Sequence, residues 1–165
     1  MQHSRGGATF GAVLFDPRNG TFEFFGGKFA RATVDFWQRD GATQEQDEPK
    51  AKEQIICQAE LAVVPMAFST WREVLKDREI LSFIDNEPAK EALINGSSSS
   101  WASAEMVRET RRMTAEGAMA PWYDRVASPS NLADEPSRGH FLRLIKLGAV
   151  RVEASELPAL SIRIE

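Results

Sequence analysis

The feature that most restricts this chain is a pair of short apolar segments split by four turn-forming residues. Residues 8–16 (ATFGAVLFD) are apolar and partly β-branched, Pro17-Arg18-Asn19-Gly20 comes next, and residues 21–29 (TFEFFGGKF) resume the apolar pattern. Proline and the Asn-Gly pair favour a reversal of the backbone, so the expected unit is a β-hairpin. A two-stranded hairpin alone is marginally stable in water, so the rest of the chain must cover it.

Beyond the hairpin the chain is mostly helical in pattern. Residues 30–50 are polar, with Gly41, Pro49 and a QEQDE run, and read as a loop with a short turn near residues 34–37. Residues 52–78 read as the main helix, because Ile55, Ile56, Ala59, Ala62, Val63, Met66, Ala67, Val74 and Leu75 recur at helical spacing. Pro65 interrupts that pattern and is expected to kink the helix, since it has no N–H to donate. Residues 79–85 (EILSFID) form a short apolar run of the kind that makes a buried strand. Residues 88–94 fit a helix opened by Asn86 or Glu87, with Pro88 tolerated in the first turn. Gly96 and four serines make a loop. Residues 101–117 read as a second amphipathic helix with Ala104, Val107, Thr110 and Met113 inward and Arg108, Arg111 and Arg112 outward. Residues 122–127 (WYDRVA) read as a last strand. Asp134 or Glu135 opens a helix through Leu147, with Pro136 near its start and Gly148 as its stop. The tail from Val150 has no clear pattern. The order hairpin, helix, strand, helices, strand, helix suits an α/β fold, a mixed sheet with helices on its faces.

At 165 residues, 42% of them apolar, the chain is sized for one domain with a real core. No apolar run approaches the roughly 18 residues of a membrane span, and MQHSRGGATF lacks the apolar block of a signal peptide, so no membrane partner is expected. The one cysteine, Cys57, has no partner for an internal disulfide and fits a reducing, intracellular setting, cytoplasmic or nuclear. A net charge of −4 argues against a strong nonspecific nucleic-acid binder. It leaves room for an enzyme that approaches phosphates through metal ions.

Three carboxylates fall where strand and helix ends converge in such an architecture. Glu60 lies inside the main helix (QAELAVV), Asp85 ends the strand LSFID, and Asp134 precedes the last helix in SNLADEPSR. Clustered carboxylates repel one another unless a cation neutralises them, and magnesium takes oxygen ligands. Two such ions about 4 Å apart can activate a water and stabilise the leaving oxygen of a phosphodiester. Each residue also has a structural alternative. Glu60 can be a helix glutamate at the edge of the apolar face, Asp85 a turn or capping aspartate, and Asp134 a helix N-cap. Spacing alone leaves these alternatives open.

Three strings resemble the ribonuclease H domains of retroelement reverse transcriptases. QAELAVVPMAFSTW is similar to their helix with a sheet-facing glutamate, and FIDNEPAKEALINGSS to their next strand and helix, with an aspartate at the strand end. WYDRVASPSNLADEPSRG resembles their closing strand and its S-x-x-N-x-A-D-x-x-S-R motif, the most specific of the three. The hairpin FGAVLFDPRNGTFEFFGGKF resembles the family's second and third strands, so the likeness runs from about Gly7 to Gly139. It looks most like the divergent ribonuclease H region of retrotransposon polyproteins.

The resemblance implies a ribonuclease H-like domain over residues 1–149 with a C-terminal tail at 150–165. It implies hydrolysis of the RNA strand of RNA–DNA hybrids with two Mg²⁺ ions, for which Mn²⁺ can substitute. Glu60 and Asp85 would be catalytic metal ligands, and Asp134 would help hold the second ion. The family grips its hybrid through backbone and 2′-hydroxyl contacts. Those contacts are expected among Asn86, Ser97, Ser98, Arg108, Arg111 and Arg112, although an ordinary solvated helix face also explains the arginines.

One departure is serious. The family's first strand is central in the sheet and carries the first catalytic aspartate, yet no Asp or Glu precedes Asp16 here. Asp16 itself reads as a turn residue. The central first strand is thus expected to be missing, leaving two neighbouring strands with unpaired edges. The rest of a polyprotein, or another segment, is expected to supply it, unless the strand order differs. The chain is then either a piece of a hybrid endonuclease or a catalytically dead structural or nucleic-acid-binding module. An unrelated α/β small-molecule-binding domain would need a pocket without clustered acids. His3 and His140 are too separated for a dyad, Gly26-Gly27 suggests a strand irregularity, and Cys57 a buried thiol. Trp37, Trp71, Trp101 and Trp122 are expected as core or half-buried anchors, with any exposed one free to stack on a base.

Overall fold

The computed structural model of the protein describes residues 7–41 and 48–165. The hairpin forms as its turn residues dictate. Strands β1 (Thr9–Asp16) and β2 (Thr21–Lys28) pair antiparallel in unbroken register, from Thr9↔Lys28 to Asp16↔Thr21. In the turn, the Asp16 carboxylate accepts from the Arg18 N–H at 3.1 Å, and the Asn19 side chain accepts from the Thr21 N–H at 2.9 Å. Alternation along the strands gives the hairpin two apolar faces. Phe10, Ala12 and Phe25 point into the main core, whereas Val13, Phe22 and Phe24 belong to a second, smaller cluster with Leu144 and Ala149.

Helix α1 (Arg31–Gly41) occupies a segment whose polar composition predicts a loop. Thr33 and Trp37, one turn apart, are fully buried, and Val34 and Phe36 pack half-buried against the core; four such residues among polar neighbours leave an apolar pattern too sparse to register in sequence. The Thr33 hydroxyl donates to the Ser161 carbonyl at 2.8 Å and accepts from the Arg163 N–H at 2.9 Å. Trp37 meets Phe29 edge-on, with ring centroids 5.0 Å apart. Residues 42–47, with most of the QEQDE run, and the N-terminal residues including His3 lie outside the described residues.

Helix α2 (Glu48–Thr70) is the predicted main helix and continues through Pro65; a short α3 (Arg72–Leu75) comes after it. Leu61, Ala62, Val64, Met66 and Phe68 are all buried, so α2 is covered on several sides, as a helix apolar nearly all round must be. Next come β3 (Glu79–Ile84), α4 (Glu87–Asn95), α5 (Trp101–Glu116) and β4 (Ala120–Arg125), with β3 and β4 parallel. Asn86 caps α4 by accepting from the Ala89 N–H at 3.0 Å, and Pro88 sits in its first turn.

The single helix expected to run to Leu147 is two short ones, α6 (Asp134–Ser137) and α7 (Leu142–Lys146). Gly139 between them has φ +77°, a left-handed conformation that glycine adopts without a Cβ clash and that ends a helix. The tail is ordered. Strand β5 (Val150–Arg151) pairs parallel with β2, Ile164 bridges to Phe29, and Ile162 is fully buried. Trp37 and Trp71 are core residues, but Trp101 and Trp122 are 61% and 68% exposed, at the first residue of α5 and on the outer face of β4. They do not serve as anchors.

The fold is therefore mixed α/β with flanking helices, as expected, but its strands form two separate sheets. One is the mixed sheet β1-β2-β5 and the other the parallel pair β3-β4. Among the described residues no helix is long and apolar enough to cross a membrane.

Candidate functional site

Between the two sheets runs a cleft of about 1080 Å³ whose walls are β1 (residues 11–16) and β3 (residues 79–84). Among the described residues β1 pairs only with β2 and β3 only with β4, so each presents a free backbone edge. The two walls run in opposite directions. Arg78, just before β3, binds the carboxylate of Asp16, the last residue of β1. At the other end, Gly11 near the start of β1 lies against residues 133 and 137, and Asp85 comes directly after the end of β3.

The floor is one face of α2 and its continuation. Glu60, Val63, Val64, Ala67, Phe68 and Trp71 all line the cleft, at the three- and four-residue steps that place side chains on one side of a helix. Glu60 is the only acid in this stripe. Burial pushes its carboxyl up to about 7, and the charges of Asp85 and Asp134 add to the effect. The three sequence-predicted carboxylates thus meet at one end of the cleft, within electrostatic reach of one another. Among the described residues no group of three His, Cys, Asp or Glu side chains could hold a metal ion. Asp134 is paired instead with Arg138 at 3.0 Å.

Asp134 is positioned by two glycines. Gly11 and Gly26 are cross-strand partners within the regular ladder, so Gly26 marks no strand irregularity. A Cβ on Gly26 would collide with the Pro136 carbonyl, and one on Gly11 would come within 2.5 Å of the Ala133 carbonyl oxygen. The pair makes a bare patch on which residues 133–137 lie directly against the hairpin. The motif's other polar residues shape the same segment. The Asn131 side chain accepts from the Ala133 N–H at 3.0 Å, and the Ser137 hydroxyl donates to the Asp134 carbonyl at 2.7 Å. Asp134 is the first residue of α6 and makes no capping hydrogen bond, since the cap position falls on Ala133.

The residues expected to touch nucleic acid do not line this cleft. Asn86 is occupied as the cap of α4. Ser97 and Ser98 lie in the loop before α5. Arg108 pairs with Glu105, Arg112 with Glu109 and Glu116, and Arg111 reaches the Ile94 carbonyl at 3.5 Å. The α5 arginines therefore sit on a surface balanced by its own glutamates. Cys57 has its thiol pKa raised, chiefly by burial, which disfavours the thiolate and any nucleophilic role. His140 is exposed.

Sequence reasoning missed the pair that ties the walls together. Asp16 is only 4% exposed, and the Arg78 guanidinium bound to it holds its carboxyl below the usual carboxylate range. Its role as a turn residue holds, through the Arg18 N–H, but its second oxygen joins β1 to β3. A partner 62 residues away leaves no local pattern to read. Comparison of the chain with protein-family models, with curated proteins and with solved structures gives no match.

Proposed function

We propose that this chain is a ribonuclease H-like domain of the retroelement reverse-transcriptase kind, carrying the acids of a hybrid-cleaving site without completing it. The observation that supports this is the meeting of Glu60, Asp85 and Asp134 at one cleft end. They arrive from a helix, a strand end and a segment laid on the hairpin, in the order of the three motif strings. A small-molecule pocket without clustered acids accounts for the same geometry less well.

The Mg²⁺ or Mn²⁺ implied by the resemblance would need several oxygens converging at about 2.0–2.2 Å. The described residues do not fit that requirement as they stand. What the chain does provide is a carboxyl at Glu60 that exchanges its proton near neutrality and two further acids beside it. That no group of three such side chains among the described residues could hold a metal ion favours the catalytically silent form of the module, one that supports or binds nucleic acid as part of a larger assembly.

The test is incubation of the chain with a labelled RNA–DNA hybrid in Mg²⁺ and in Mn²⁺, alongside Asp85→Asn. Little or no cleavage is expected. Robust cleavage that Asp85→Asn abolishes would overturn the silent form and establish a working nuclease.

A further inference from the structure

We infer that two copies of this chain pair through the sheet face turned away from the main core, with α7 of each copy covering the β3-β4 pair of the other. The strand edges and acids of the cleft take no part, so the pairing is independent of the nuclease reading. Strand alternation settles which residues share this face. Phe10, Ala12 and Leu14 of β1 enter the main core, as do Ile80 and Ile84 of β3. Gly11, Val13 and Phe15 therefore point the other way, and so do Leu81 and Phe83. Over the hairpin that far side is roofed. Residues 133–137 lie on Gly11 and Gly26, and Leu144 of α7 closes on Val13, Phe22 and Phe24. Over β3 and β4 it is bare among the described residues. Leu81, Phe83 and Trp122 are 71%, 59% and 68% exposed, with Leu81 and Trp122 side by side on the two strands.

The face is thus a step, half helix and half naked sheet, and its raised half is apolar as well. With Leu144 turned down onto the hairpin, the helical repeat turns Leu142, Ile145 and Lys146 up. Leu142 and Ile145 are 74% and 52% exposed. Apolar surface on this scale marks a site of association. A two-fold axis through the step seats each α7 on the other copy's sheet, and one surface then serves both partners, as a closed pair requires. The charges select this seating. Glu79 and Asp124 stand at diagonal corners of the bare sheet, paired across the strands with Ala120 and Phe83. Both are exposed and have no cationic partner among the described residues, while Lys146 has no acidic one. Sheet against sheet would oppose acids, and helix against helix would oppose lysines, whereas helix on sheet brings lysine to acid. Each copy contributes five large apolar side chains with on the order of 100 Å² of exposed surface apiece. With the charged residues around them, the interface reaches the about 1,200–2,000 Å² of a stable pair.

The experiment is sedimentation velocity of the full chain over a range of concentrations. A reversible equilibrium between one copy and two is expected, with half-association in the micromolar range. Trp122→Asp and Leu142→Asp alter exposed side chains, so each should keep the parent's urea midpoint while weakening the pair about a hundredfold. Mixing those two variants is the sharper test. A mixed pair places the damaged sheet of one copy against the damaged helix of the other and leaves the second contact whole. The mixture should therefore associate at least about tenfold more tightly than either variant alone. Lys146→Glu should weaken the pair about tenfold, and adding Glu79→Lys and Asp124→Lys to it should restore the affinity. A chain that stays single at every concentration refutes the inference, as does a pair indifferent to Trp122→Asp or Leu142→Asp. A mixture no tighter than its components, or growth into open-ended chains, refutes it equally. Cleavage of an RNA–DNA hybrid enters none of these readouts, so the two proposals fail separately.

Discussion

Replacing Glu60 by Gln should stabilise the protein, and only above a certain pH. Burial, then the charges of Asp85 and Asp134, raise the Glu60 carboxyl from an ordinary 4.5 to about 7. At about 1.4 kcal/mol for each pH unit, holding Glu60 ionised in the fold costs about 3 kcal/mol. The sign is set by proton binding. Between pH 4.5 and about 7 the folded chain holds a proton on Glu60 that the unfolded chain has released, so stability falls as pH rises. Below that window Glu60 is neutral in both states and there is no penalty. Above it the penalty is complete.

Glutamine has nearly the same shape and cannot ionise. Relative to the parent, Glu60→Gln should therefore gain nothing at pH 4 beyond a fixed offset, and about 3 kcal/mol more at pH 8. With urea slopes of roughly 1–3 kcal/mol per molar, the midpoint should move up by on the order of 1–3 M at the higher pH. Urea titrations of both proteins at pH 4, 5.5, 7 and 8 decide the matter. Asp85→Asn and Asp134→Asn should each give a smaller gain at pH 8, because repulsion from either acid ranks behind desolvation. A difference between Glu60→Gln and parent that does not change with pH would rule this account out. So would a loss of stability at pH 8.

Two further substitutions test how the site is held. Gly26→Ala should destabilise by about 1–3 kcal/mol, because its Cβ meets the Pro136 carbonyl and the segment bearing Asp134 must lift from the hairpin; chemical denaturation gives the magnitude, and a downward move of the Glu60 carboxyl in an NMR titration reports the departure of Asp134. Thr33→Val should lose about 1–3 kcal/mol, since the Arg163 N–H loses the acceptor that the buried Thr33 hydroxyl provides, and exchange of the tail amides should rise before global unfolding.

What could be read from the sequence came from local chemistry. The hairpin was legible in Pro17-Arg18-Asn19-Gly20, α4 in Asn86 and Pro88, and α5 in the spacing of Val107, Thr110 and Met113. Glu60, Asp85 and Asp134 were legible as a group through three motif strings, and they do share one cleft end. The rest depended on distant partners. Helix α1 has only two fully buried residues, Thr33 and Trp37, and Thr33 is bound to a tail 128 residues away, so its own pattern is weak. The break at Gly139 is set by backbone conformation, and Gly26 proved to be a docking surface for Pro136, a requirement visible only when both are in place. The resemblance points to Asn86 as a nucleic-acid contact, whereas in the fold its side-chain oxygen caps the first turn of α4.

A sheet divided in two would ordinarily come apart, and three ties explain why this one does not. Residues 133–137 arrive from the β4 side and lie on the glycine patch of the hairpin. Arg78 and Asp16 join the far ends of the two walls. Helix α2 packs against β1, and its stripe of side chains floors the cleft between the two walls. Every position in that stripe from Val63 to Trp71 is apolar, as burial demands, whereas Glu60 at its head is an acid placed beside two other acids. An apolar residue would serve the fold better there. A position where local chemistry works against stability, with no cation among its described partners to offset it, is where a functional requirement is expected to lie. The pH dependence of Glu60→Gln measures that conflict directly, and a cationic side chain or metal ion entering the cleft should reduce it by favouring the ionised carboxylate.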